Sequence, residues 1–83
     1  MLYRSAVTGK VIRELRKKRG VTQEVLSGFA CISRSHLAMI ENGTKNPNVD
    51  TLWRIAEALE IPLSELISLV EVEINQQDED CAI

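Results

Sequence analysis

Few side chains in this sequence could make or break a covalent bond. His36 is the only histidine, and Cys31 and Cys81 are the only cysteines. Nucleophilic catalysis needs a base within hydrogen-bond reach and a third group to orient it. The chain shows no such arrangement, no paired-carboxylate cleft and no phosphate-cradling glycine loop. One histidine and two cysteines 50 residues apart cannot supply four ligands at zinc-site spacing. No metal, no cofactor and no small-molecule ligand is therefore expected, and the chain does not read as an enzyme. Cys31 reads as a buried thiol and Cys81 as an exposed one. A disulfide-linked dimer through Cys81 does not suit a reducing compartment.

The chemistry on offer is electrostatic. The net charge of −2 hides a division along the chain. Residues 1–48 carry nine Lys and Arg against three acidic groups, while residues 49–83 carry Arg54 alone against nine. A face built from the first part could dock on phosphates while the second repels them. Two ordinary solvated surfaces of opposite sign are the plainer alternative.

The elements that must hold these charges are helical. The 83 residues suit one domain, with 45% apolar residues but only Tyr3, Phe29 and Trp53 aromatic, so the core must be aliphatic. No apolar run approaches the ~18 residues of a membrane span, and the first residues lack a signal-peptide stretch. A cytoplasmic protein is expected. Val11, Ile12 and Leu15 form the stripe of a first helix, from about Ser5 or Thr8 to Arg19, which Gly20 ends. Thr22 caps a second helix at about 22–30, with Leu26 and Ala30 inward. Ser33 caps a third at about 33–41, with Leu37 and Ile40 inward, and Gly43 ends it. Residues 42–48 form a polar loop dense in turn formers. Asn48 or Asp50 caps a fourth helix, whose Leu52, Ile55, Ala56 and Leu59 make a buried stripe. Pro62 opens a fifth near Leu63, with Leu63, Leu66, Ile67 and Val70 inward.

Beyond residue 69 two readings stand. Val70, Val72 and Ile74 alternate with Glu71 and Glu73 as in a strand, which an identical chain could pair as an intersubunit strand. Leu63, Leu66, Ile67, Val70 and Ile74 equally fit a longer fifth helix. Residues 75–80 read as an acidic, disordered tail. The expected organisation is a domain at 1–69 and an extension at 70–83 for dimer contact.

The second and third helices meet across a turn of about three residues, and Ser27 with Gly28 supplies the small residues that let them cross closely. Arg34, Ser35, Ala38 and Met39 then face outward, with His36 at the edge. A helix presented this way fits the major groove, about 12 Å wide.

The pattern Gly9-x-x-Ile12-Arg13-x-Leu15-Arg16-x-x-x-Gly20-x-Thr22-Gln23-Glu24-x-Leu26 resembles the opening of the lambda-repressor-like (Xre/Cro) helix-turn-helix family. So do Ser33-x-x-x-Leu37-x-x-Ile40-Glu41-Asn42-Gly43, Pro47-x-x-x-Thr51-Leu52 and Ile55-Ala56-x-Ala58-Leu59. The similarity spans about residues 7–69. It implies an all-α, five-helix DNA-binding domain with the third helix as the recognition helix. It also implies that Thr22 and Gln23 hold a phosphate and that Ser33 caps the third helix and touches the backbone. Arg34, Ser35 and Met39 would face base edges, with His36 close to a base or phosphate. Asn42, Thr44 and Lys45 would contact the backbone downstream, and Arg16 and Glu41 would form a buried structural ion pair. The chain departs from the family at Ser27, where Ala is usual, and at Cys31 and near Glu60, where Gly is usual.

These residues point to a sequence-specific transcriptional regulator that binds a palindromic operator in double-stranded DNA as a homodimer, with half-sites about 10 bp apart. Repressors of phage type and restriction–modification controllers are stand-alone chains of this size. Trp53, Leu66, Val70, Val72 and Ile74 are the expected dimer seam, with Trp53 alternatively a rim residue of the core. The competing reading is a protein-interaction module, an antitoxin or bridging factor, acting through the acidic C-terminal half.

Overall fold

A computed structural model of the chain describes residues 3–81, with side chains described for residues 3–77. Five helices follow one another: α1 (Ser5–Lys18), α2 (Gln23–Ala30), α3 (Arg34–Glu41), α4 (Val49–Ala58) and α5 (Leu63–Cys81). Three starts are capped by side chains: Thr22 and Ser33 as the sequence predicts, and Asn48 rather than its alternative Asp50. Thr22 Oγ1 accepts from Val25 N at 3.1 Å, Ser33 Oγ from His36 N at 3.0 Å and Asn48 Oδ1 from Thr51 N at 2.8 Å. Each satisfies a helix N–H that has no partner within the helix.

The first four helices end on one hydrogen-bond pattern. The residue in the left-handed conformation donates back across three positions, and the next residue across five, as in the Schellman motif. The pairs are Gly20 N to Lys17 O with Val21 N to Arg16 O, and Cys31 N to Gly28 O with Ile32 N to Ser27 O. Gly43 N to Ile40 O with Thr44 N to Met39 O, and Glu60 N to Glu57 O with Ile61 N to Ala56 O, complete the set. Cys31 and Glu60 hold φ of 58° and 61°, so both keep the family's turn geometry without its glycine. Cys31 is exposed there, not buried as expected, because the αL residue ends α2 on the solvent side of the turn.

The core is aliphatic. Val7, Val11 and Ile12 of α1 meet Leu26 and Ala30 of α2, Leu37 and Ile40 of α3, the stripe from Leu52 to Leu59, and Leu66, Val70 and Ile74 of α5. α1 lies against α3 and α5, and α2 against α3 and α4. Gly9 is where α1 crosses α3: a Cβ there would overlap the carbonyl oxygen of Ile40 and approach that of Glu41 to 2.7 Å.

Residues 70–74 are helix, and α5 runs through the 69/70 boundary to Cys81 without a break. The expected disordered tail at 75–80 is corrected to helix. Its anchors are tertiary: Val70 and Ile74 are buried, Lys10 Nζ pairs with Glu73 Oε1 at 2.6 Å, and Arg4 Nη1 donates to Gln77 Oε1 at 3.3 Å. Ile67, expected inward, is 37% exposed because Leu66, Val70 and Ile74 already take the inner face.

Candidate nucleic-acid interface

The arrangement at α2 and α3 rests on a buried charge cluster. Arg16 Nε donates to Glu41 Oε2 at 2.8 Å and Arg16 Nη2 to Glu41 Oε1 at 3.0 Å, a bidentate pair joining α1 to α3. Arg16 Nη1 also donates to Val21 O at 2.9 Å, which holds the chain between α1 and α2. Gln23 Nε2 donates to Glu41 Oε1 at 3.1 Å. Burying this pair is tolerable because the guanidinium and both carboxylate oxygens have partners.

Gln23 is therefore positioned by the ion pair. One amide N–H is spent on Glu41, and the second N–H and the carbonyl meet no partner among the described residues. Thr22 sits exposed beside it, at the positive end of the α2 dipole. The start of α3 lies next to the start of α2: Arg16, Val21, Thr22, Gln23, Glu24 and Arg34 line one groove of about 430 Å³.

On α3, Arg34, Ser35 and Met39 are exposed, and His36 and Ala38 are half-buried. Among the described residues, the Arg34 guanidinium meets no hydrogen-bond or ion-pair partner. Arg13, Lys17, Lys18 and Lys45 share that state, whereas Lys10, Arg16, Arg19 and Arg54 are each paired with a carboxylate. The loop after α3 is internally braced. Asn42 Oδ1 accepts from Thr44 N at 3.0 Å and Thr44 Oγ1 at 2.7 Å, and Lys45 N donates to Met39 O at 3.2 Å. Asn42 and Thr44 thus spend part of their hydrogen-bonding capacity on each other, while Lys45 projects exposed from a fixed backbone.

Sequence reasoning missed the residues that seat this loop. Ser5 Oγ donates to Gly43 O at 3.2 Å, and the Tyr3 hydroxyl accepts from Thr8 Oγ1 at 2.8 Å and donates to Asn46 Oδ1 at 3.1 Å. The only tyrosine, placed just ahead of the first helix, was the available signal.

The expected dimer residues separate into two groups. Trp53 and Val72 are exposed, at 55% and 49%. Trp53 Nε1 donates to Glu57 Oε1 at 3.0 Å. Leu66, Val70 and Ile74 are buried inside the chain's own core, which corrects their placement on a surface seam. They follow the i, i+4 face of α5 that turns to α1 and α4. No group of three or more His, Cys, Asp and Glu among the described residues could hold a metal ion. No helix there is long and apolar enough to cross a membrane.

This geometry is that of a helix-turn-helix domain. The helix-turn-helix family model matches residues 12–66, and the chain belongs to that family, in its Xre-like branch. It is similar to the uncharacterized HTH-type transcriptional regulator y4dJ of Sinorhizobium fredii, 34% identical over 62 residues, covering 75% of this chain and 80% of that protein. The immunity repressor of Bacillus phage phi105 is 42% identical over 59 residues, 71% of this chain and 41% of the repressor. Among solved structures, the restriction–modification controller C.AhdI of Aeromonas hydrophila superposes with a TM-score of 0.73 at 32% identity, over 75% of this chain and 94% of the controller. The clp gene regulator ClgR of Corynebacterium glutamicum shares the fold, with a TM-score of 0.85 over 94% of this chain and 85% of that one, at 24% identity. Against seven further curated relatives, the chain spans from 20% to 60% of their length.

Proposed function

We infer that this protein is a sequence-specific, DNA-binding transcriptional regulator, which binds a palindromic operator as a homodimer with α3 in the major groove. The observation that carries this reading is the shared groove at the starts of α2 and α3. There, Thr22 and Gln23 stand beside an exposed, partnerless Arg34. A phosphate held at the α2 N-terminus fixes the register, and Arg34 then meets a base edge. Ser33 and His36 flank that contact, and Ser35 and Met39 follow along the outward face. Asn42, Thr44 and Lys45 meet the backbone beyond α3. The family's regulators, repressors and controllers support this role over an enzymatic one.

The dimer seam that best fits the exposed apolar surface lies between α4 and α5. Trp53, Ile61, Leu63 and Ile67 line a groove of about 730 Å³ there, rimmed by Glu57 and Glu71. Two copies double the base-reading surface of a domain that offers one short helix, and two-fold symmetry demands a palindrome.

Selection from a randomised duplex library at near-physiological salt tests the reading. Enrichment of a two-fold-symmetric site supports it. Binding without enrichment, or none, overturns it and directs attention to a protein partner for the acidic half.

A further inference from the structure

The outward face of α3 changes character along its length. Positions 34, 35, 38 and 39 share that face, opposite buried Leu37 and Ile40. Its first turn carries Arg34 and Ser35, which donate and accept hydrogen bonds. Its second turn carries Ala38 and Met39, which offer only methyl groups and a weakly accepting thioether. Met39 stands 39% exposed on a backbone that cannot drift, because its carbonyl oxygen accepts from Thr44 N at 3.0 Å and Lys45 N at 3.2 Å. The same bonds tie that turn to the loop that presents Lys45.

An apolar pair against base edges discriminates in one direction. All four bases present polar atoms in the major groove, which lose water against Ala38 and Met39 and gain at best the weak thioether acceptor. Thymine alone adds an apolar group there, its C5 methyl, beside its O4 acceptor. Four residues of helix rise about 6 Å, which covers about one or two base-pair steps for a helix lying obliquely along the groove. We propose that Ala38 and Met39 read thymine methyl groups, so that each half-site carries thymine about one or two base pairs from the base that Arg34 contacts. This rests on the reading of α3 as the groove helix and adds the identity of the bases it selects.

The test replaces thymines of the selected operator with deoxyuridine, one symmetric pair at a time, and so removes only the methyl group. The expected result is a loss of affinity of about fourfold per methyl at one or two positions in each half-site. In Met39→Ala the thymine-to-uracil ratio at one of those positions falls toward unity. Met39→Gln exchanges the thioether for an amide that pairs with adenine N6 and N7, and selection with it should shift that position from thymine to adenine. Thermal unfolding of both variants checks that they fold. Indifference to uracil throughout the half-site overturns the proposal while leaving the regulator reading intact, as does a ratio that Met39→Ala leaves unchanged. Failure to select any duplex sequence overturns both.

Discussion

Arg34 carries the long charged side chain on the outward face of α3, and nothing in the described chain neutralises it. Removing it takes away the proposed base contact without disturbing a partner within the described chain. Arg34→Ala should cost about 1–3 kcal/mol of operator binding and relax preference at one base pair per half-site. Quantitative competition with singly substituted duplexes measures this, and unchanged preference would displace α3 from the groove. Glu41 makes an instructive contrast, since its side chain is 3% exposed and Arg16 beside it 11%. Glu41→Ala leaves a buried guanidinium unpaired and frees Gln23, so the expected loss is about 3–5 kcal/mol of folding stability. Chemical denaturation would show it before any binding assay. Cys31 works the other way. Its φ of 58° strains a side chain where glycine would be relaxed. Cys31→Gly recovers that strain but adds unfolded-chain entropy, leaving a net gain of about 1 kcal/mol and a rise in melting temperature of about 4–8 °C.

The helices differ in how much of their placement was legible. Thr22 and Ser33 cap their helices as the sequence predicts, because N-capping is local chemistry over three residues, while the choice between Asn48 and Asp50 falls to Asn48. Arg16 and Glu41 came from the family resemblance, and the structure supplies their distances. The end of α5 was not legible. Val70, Val72 and Ile74 suit a strand at period two, and Val70 and Ile74 suit a helix at i, i+4. Only the presence of α1 beside them decides the matter. The pairing of Lys10 with Glu73 spans 63 positions and has no local signal. It leaves a titration signature. The hydrogen bond and charge of Lys10 hold the Glu73 carboxyl below its ordinary 4.5, and Glu73 likewise holds the Lys10 ammonium above 10.5. Glu73 then contributes stability above the ordinary carboxylate value, lost as pH falls through its folded value. The Lys10 contribution is complete below 10.5 and lost as pH rises through its folded value. In an NMR titration, Lys10→Ala should return the Glu73 midpoint toward 4.5. An unmoved midpoint would mean that the α1–α5 bridge does not form in solution.

At the scale of the whole molecule, charge and apolar surface divide the labour. The basic half holds the groove at α2 and α3 and also supplies Lys45. Lys45→Ala should weaken all duplexes alike and reduce the salt dependence of binding by about 0.9 per bound copy. The acidic half repels phosphates, yet it carries the exposed apolar groove between α4 and α5. That groove sets a condition on self-association. Glu57 and Glu71 stand on its rim, so two copies bring carboxylates together around an apolar centre. Burial at Trp53 and Ile67 must outweigh that repulsion, which screening by salt reduces. Operator binding then feels salt twice, with weaker phosphate contacts and a stronger dimer. Ile67→Asp places a further carboxylate in the centre of the seam while sparing the inner face of α5. Sedimentation at a series of concentrations should find this variant monomeric where the parent is dimeric, and its binding to a full operator should fall to that of a half-site. Should it remain dimeric, the seam belongs on the other flank of α5, where exposed Val72 and Leu69 face Leu15 of α1.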